Sequence, residues 1–199
     1  MNGDLAAAIL VGGRSRRMGT NKALVAIEPD GRPVVETVAN VLKAVASDVV
    51  LVGSESAEYG FLGLRQVADR FPGTGVLGGI ASALLVCEHS PVLVVGCDMP
   101  FLNVDLLRYM TSLPRNYDVL APHLDRPQPL HAIYSQRSLA VIERQLESGN
   151  FRATDLFDHL DVRWIDQETS RQYDPTLLSS FNMNSPADLM FARQAAIRT

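Results

Sequence analysis

Cysteine is nearly missing from this chain of 199 residues: Cys87 and Cys97 are the only two. Their number and spacing build neither a disulfide framework nor a metal-ligand motif, which fits a reducing cytoplasm. Long apolar runs are missing too. The stretch Leu5 to Val11 is one strand long, and Met1-Asn2-Gly3-Asp4 before it carries no positive charge, so neither a signal peptide nor a membrane span is expected. An overall basic excess is also absent. With a net charge of −4, no global field draws the chain to nucleic acid or to a membrane surface. What is present, 47% hydrophobic and 20% charged residues, is the balance of a folded globular protein. No repeat, low-complexity stretch or linker interrupts it, so residues 1–199 are expected to form a single α/β domain.

Short apolar strands alternate with helical patterns. Strands are expected at 5–11, 48–53, 91–96, 117–121, 129–134 and 161–166. Helices are expected at 33–46, 76–87, 103–112, 136–147 and 152–159, and from Ser185 to about Ala196. Ser185-Pro186-Ala187-Asp188 supplies a cap, a proline at the first helical position and an acid in the first turn. Strands that are apolar throughout imply a three-layer architecture, a mostly parallel sheet with helices on both faces. Ligands of such sheets bind outside the carboxyl ends of the strands.

The loop after the first strand concentrates unusual chemistry. Gly12, Gly13 and Gly19 allow close backbone approach to a phosphate. Arg14, Arg16, Arg17 and Lys22 bring four cations, and no acid lies between Gly12 and Ile27. One charge about 4 Å from a phosphate is worth roughly 4 kcal/mol at a near-surface dielectric, so several would hold a triphosphate. The spacing is not that of a P-loop, because Gly19 is not followed by Lys and Ser/Thr. Asp98 follows the most continuous apolar strand, Val92 to Gly96, and so faces the ligand crevice. One carboxylate with substrate phosphates is a usual Mg²⁺ environment.

Gly73, Gly75 and Gly78 match the G-x-G-x-x-G spacing, with Asp98 twenty residues beyond Gly78, the pattern of a dinucleotide-binding oxidoreductase. The segment 66–72 before it ends in a loop signal rather than in a long buried strand, which weighs against that reading.

Four ordered stretches resemble the molybdenum cofactor guanylyltransferases, nucleotidyltransferases of the nucleotide-diphospho-sugar transferase fold. They are Leu10-Val11-Gly12-Gly13 with Arg17-Met18-Gly19 and Lys22; Asp69 with Pro72-Gly73-Thr74-Gly75-Val76-Leu77-Gly78-Gly79-Ile80; Cys97-Asp98-Met99-Pro100-Phe101-Leu102; and Asn182-Met183-Asn184-Ser185-Pro186-Ala187-Asp188-Leu189. Val11 stands where the family usually has Ala, Val76 where it has Pro, and Ser185 where it has Thr. The resemblance implies transfer of GMP from GTP to the phosphate of molybdopterin or its molybdenum form, with pyrophosphate released. Gly13, where related cytidylyltransferases typically have Ala, tilts the base towards guanine.

By the same resemblance, Leu10, Val11, Gly12, Gly13, Lys22, Asp69, Gly75, Gly78 and Asp98 would bind the nucleotide. Asp98 would hold Mg²⁺, and Arg17 and Lys22 would stabilise the transferring phosphate. Residues up to about 110 would bind nucleotide and the remainder the acceptor, with transient contact to cofactor-delivery proteins. In a strand, Asn182 and Asn184 would share one face and line a polar pterin site. His123 and His131 are candidates to touch the acceptor, though not as bases, since the acceptor is already an anion. The competing readings are a cytidylyltransferase or sugar-phosphate nucleotidyltransferase, an oxidoreductase, and a non-catalytic nucleotide-binding partner of a molybdoenzyme.

Overall fold

The apolar runs join one seven-stranded sheet in a computed structural model that describes residues 5–12, 21–28, 30–53, 55–87 and 91–197. The strands are β1 (Ala6–Leu10), β2 (Asp48–Val52), β3 (Arg65–Val67), β4 (Val92–Gly96), β5 (Val119–Pro122), β6 (Ala132–Tyr134) and β7 (Val162–Ile165). They stand in the order β3-β2-β1-β4-β6-β5-β7. β6 alone runs against its neighbours; the other pairings are parallel.

Alternation along the strands explains why they are apolar throughout. Ala7 and Ile9 of β1, with Leu93 and Val95 of β4, face one core. There they meet α1 (Val34–Lys43) through Val34, Val35, Val38, Ala39 and Leu42, and α3 (Val104–Ser112) through Leu106, Leu107 and Met110. Ala6, Ala8, Val92 and Val94 face the other core, formed with α2 (Gly75–Val86), α4 (Ser138–Glu147) and a 3-10 helix at Ala153–His159. Both faces are covered, as expected.

Local chemistry sets the boundaries. Pro33, which has no amide hydrogen to contribute, stands just before α1. Ser185 caps α6 (Pro186–Ala196) in a reciprocal capping box with Asp188. Asn103, not Asp98, caps α3, accepting from Asp105 and Leu106 amides. One strand and one α-helix were not expected: β3, a short edge strand, and α5 (Gln167–Tyr173), whose Tyr173 stacks on Tyr109 of α3 at 4.6 Å. Residues 129–131 do not extend β6, because the backbone at His131 turns through φ 132°. Among the described residues, no helix is long and apolar enough to cross a membrane.

The register of the central strands decides where a ligand edge can form. Leu10 pairs with Val52 on one side and Gly96 on the other, so β1, β2 and β4 end level. The chain segments leaving them, at Val11, Gly53 and Cys97, emerge side by side at one edge.

Candidate active site

Backbone hydrogen bonds build the frame of this edge. The Val11 amide donates to the Val52 carbonyl at 2.8 Å, and the Cys97 amide to the Leu10 carbonyl at 3.1 Å. These sheet-like contacts occupy the Leu10 carbonyl and the Val11 amide; Gly12, which follows, is exposed with φ 127°, and its amide hydrogen-bonds the Cys97 sulfur. Gly53 is required here because a side chain on it would collide with the Val11 carbonyl. Gly13 and Arg17, together with Arg14, Arg16 and Gly19, lie outside the described residues.

Chain geometry returns at Asn21, which caps a 3-10 helix at Lys22–Leu24 by accepting from the Ala23 amide. Its amide nitrogen donates to Tyr59 Oη at 2.9 Å and to Glu58 Oε2 at 3.3 Å, anchoring the cap on the segment Ala57–Leu62. Nothing in the sequence marked Asn21 for a role, yet it is what aims the next residue. Lys22 Nζ lies 3.9 Å from Asp98 Oδ2 and donates to Asn184 Oδ1 at 3.0 Å. The two charged side chains are 16% and 19% exposed.

Asp98 stands two residues past β4, where Gly96 makes room for it. A side chain on Gly96 would put its first carbon 2.7 Å from Asp98 Oδ1. Burial raises the Asp98 carboxyl above its ordinary value, while Lys22 and a backbone hydrogen bond pull it down. Cys97 beside it is pushed up to about 12 by burial and by the Asp98 charge, which makes it no nucleophile at neutral pH.

The carboxyl-terminal segment closes the site. The Met183 amide donates to the Asp98 carbonyl at 2.9 Å, and the Met183 side chain is fully buried. Asn182 and Asn184 flank it, but residues 181–184 join no ladder. The expected strand is therefore an extended segment, joined to the end of β4 by that backbone bond. Asn182 Nδ2 donates to the Ser180 carbonyl, whereas the Asn184 side chain reaches Lys22. The amides of Asn184 and Ser185 both donate to Asp188 Oδ2, at 2.7 and 2.8 Å.

The glycine-rich stretch lies at the start of α2. Ser82 is buried, donates to Asp69 Oδ1 at 2.8 Å and accepts from the Arg70 amide at 2.9 Å, and Asp69 also accepts from the Phe71 amide. Asp69 thus organises the loop that precedes the helix. Gly78 has a packing reason of its own, since a side chain would strike Thr74 and the Phe71 carbonyl. Gly79 faces Leu10. Gly75, with φ 69°, has open space around it, and Thr74 makes no side-chain cap to the first amides of α2. Those amides are the groups a ligand at the edge can use. The dinucleotide reading fails on topology: β3 and β4, the strands flanking α2, are separated by β2 and β1.

Of the two histidines named as candidates for acceptor contact, His131 is fully buried. His123 is exposed, with its ring edge-on to Trp164 at 5.1 Å.

Comparison with known proteins places the chain among relatives of one kind. Residues 7–166 match the MobA-like NTP transferase domain. The chain is 39% identical to a probable molybdenum cofactor guanylyltransferase of Pelotomaculum thermopropionicum over 94% of this chain and 91% of that one. It is 35% identical to the molybdenum cofactor guanylyltransferase of Desulfosudis oleivorans, covering 96% and 94% of the two. Among solved structures, molybdopterin-guanine dinucleotide biosynthesis protein A from Archaeoglobus fulgidus superposes with a TM-score of 0.83 at 28% identity, covering 98% of this chain and all of that one. With the family domain matched over most of its length and relatives above 30% identity covering nearly all of it, the chain belongs to the molybdenum cofactor guanylyltransferase family.

Proposed function

We propose that the protein transfers GMP from GTP to the phosphate of molybdopterin, or of its molybdenum form, in the cytoplasm. The observation that carries this reading is the convergence of Lys22, Asp98 and Asn184, from three distant parts of the chain, at the level ends of β1 and β4 in a member of this family. An acceptor phosphate oxygen attacks the α-phosphorus of GTP; the bond from that phosphorus to the bridging oxygen breaks, and pyrophosphate leaves with the electron pair. The acceptor is already an anion, so the chain needs no general base. Its task is to align two anions and neutralise them.

Lys22 faces the developing charge on the transferring phosphate, joined by Arg17 from the loop before it. Gly13 and the first amides of α2 at Gly75 offer backbone donors to nucleotide, with Leu10, Val11, Gly12 and Gly78 shaping the surface behind them. Asp69 holds the α2 entry loop through Ser82. Asn182 and Asn184 meet the acceptor, so residues up to about 110 and those beyond divide the two substrates within a single domain.

The donor set at Asp98 fits Mg²⁺. Among the described residues, no cluster of three His, Cys, Asp or Glu side chains could hold a resident metal. A lone, partly buried carboxylate suits an ion that shares its coordination with substrate phosphates and water. When bound, Mg²⁺ would neutralise charge on the triphosphate.

The test is pyrophosphate release by the purified protein with molybdopterin and GTP, CTP or UTP, with and without Mg²⁺. Turnover with GTP and Mg²⁺ is expected. Turnover with CTP in place of GTP would reassign the base, and GTP binding without turnover would overturn the transferase reading.

A further inference from the structure

His131 is the most constrained residue in the molecule that the proposed reaction leaves unused. It is fully buried, and its φ of 132° is a conformation that side-chain-bearing residues rarely adopt. Such a backbone persists only where its surroundings hold it. Here the His131 amide donates to the Val94 carbonyl in β4, four residues before Asp98. Its ring places Nδ1 3.4 Å from Ser180 Oγ, while Nε2 is buried without a partner. A buried N–H without an acceptor is rarer than a buried lone pair without a donor, so the proton belongs on Nδ1, which donates to Ser180. The ring is kept uncharged, because burial lowers its pKa to about 4 although Asp174 nearby works the other way.

Ser180 ends the 3-10 helix Leu178–Ser180, which is itself pinned by the Ser179 amide donating to Asp174 Oδ2 at 2.8 Å. Beyond it the chain runs extended through Asn182 and Asn184 to the α6 cap. Beside its local turn bonds, this run is tied to the β4 side by Ser180 through the His131 ring and by Met183 through the Asp98 carbonyl, while Phe181 packs on Phe101 and Lys22 holds Asn184. Ser180 also lines a groove of about 400 Å³, with Phe181, Phe191, Arg126 and Gln128 among its walls.

We propose that His131 is a positioning residue for the acceptor: its ring holds Ser180, and with it the segment carrying Asn182 and Asn184, in register with Lys22 and Asp98. This rests on the reading of those two asparagines as acceptor contacts. The ring acts through Ser180 and touches no substrate.

The test uses Ser180→Ala, His131→Asn and His131→Gly in the full chain. Glycine accepts the backbone angle while removing the ring, which separates loss of the ring from backbone strain. In Ser180→Ala and His131→Gly, the acceptor KM should rise about tenfold or more, with GTP affinity measured without acceptor unchanged within about twofold. Amide hydrogen exchange across residues 181–185 should accelerate in both variants, with β1 and β4 unaffected. His131→Asn, which keeps a donor near Ser180, should recover part of the acceptor KM.

Equal losses of GTP and acceptor affinity would overturn the proposal, as would unchanged exchange at 181–185. Should His131→Gly fail to fold, Ser180→Ala decides alone. A wild-type protein that transfers no GMP refutes the guanylyl-transfer reading. The exchange arm still stands in that event, and accelerated exchange at 181–185 would support the positioning role on its own.

Discussion

Replacing Lys22 with methionine keeps the stem of the side chain and deletes its charge, and the structure sets what this should do. Two unit charges 3.9 Å apart attract by about 4 kcal/mol at an effective dielectric of about 20. Both side chains are mostly buried, so much of that attraction offsets their desolvation, and the net loss should be about 2 kcal/mol. For a chain of this size, that is a fall in Tm of roughly 4–8 °C. The loss should depend on pH. Asp98 already has a carboxyl raised by burial in the presence of Lys22, and without the cation it rises further. Its folded pKa lies above the unfolded one, so its charged form opposes folding, and stability falls as pH rises through the folded pKa. The Tm deficit of Lys22→Met should therefore be largest near neutrality and shrink in acid. Asp98→Asn should have a Tm equal to or above the wild type, and adding it to Lys22→Met should restore most of the loss. Activity should move differently: kcat and kcat/KM fall together in both single variants, by about 10²–10³ for Lys22→Met, the scale of losing one preorganised transition-state donor. Scanning fluorimetry from pH 5 to 8 alongside pyrophosphate release measures both. A Lys22→Met protein with near-normal kcat, or a double variant no more stable than Lys22→Met, would refute the roles given to this pair.

Gly96→Ala should displace the Asp98 carboxylate, because its new carbon would stand 2.7 Å from Oδ1; kcat should fall at least tenfold with GTP affinity less affected, as stopped-flow and titration would show. Ser82→Ala removes the hydroxyl joining the Arg70 amide to Asp69, while Asp69 keeps its bond from the Phe71 amide, so the cost should be about 1 kcal/mol; thermal melts should show it, and the KM for GTP should rise more than kcat falls. His131 binds no proton in the fold until about pH 4, against 6.5 when unfolded, a difference of roughly 3 kcal/mol. Its contribution is intact above pH 6.5 and is lost progressively as pH falls from there towards 4; denaturant melts of the wild type should lose more stability over that interval than melts of His131→Asn.

The parts of the fold that local chemistry dictates were legible in the sequence. Ser185-Pro186-Ala187-Asp188 reads as a helix start and is one, because cap, proline and acid each satisfy a requirement within four residues. β1 and β4 read as buried strands because both faces are covered. Elements whose stability comes from partners far along the chain were not legible. β3 has three residues and owes its pairing to β2, and α5 is held against α3 by the Tyr109–Tyr173 stack. In the site, the spacing around Gly12, Lys22 and Asp98 showed which residue types were gathered, but not that Asn184, 162 positions from Lys22, would touch its amine. The pattern that put Gly78 at the nucleotide did not show its packing role, which is to make room for Phe71 and Thr74. His131 stood out in the sequence only as a candidate for acceptor contact. Its burial, its backbone angle and its serine partner come from packing.

The reversed strand explains how the second half of the chain reaches the edge where β1 and β4 end. In a sheet of parallel strands alone, only carboxyl ends would face the ligand edge. β6 runs the other way, so its amino end lies there, which brings His131 beside Val94 and within reach of Ser180. The tail then crosses from Ser180 to the α6 cap and meets β4 through a backbone bond at Asp98. The bonds joining Leu10, Val11, Val52, Cys97, Asp98 and Met183 into one frame are all between main-chain atoms. A substitution of the Lys22, Asp98 or Asn184 side chain leaves those bonds in place. On the proposed roles, losses of rate in such variants should report missing side-chain contacts rather than a displaced frame, whereas Gly53, whose missing side chain is what lets the Val11 carbonyl pass, is where a single methyl group should dismantle the frame itself.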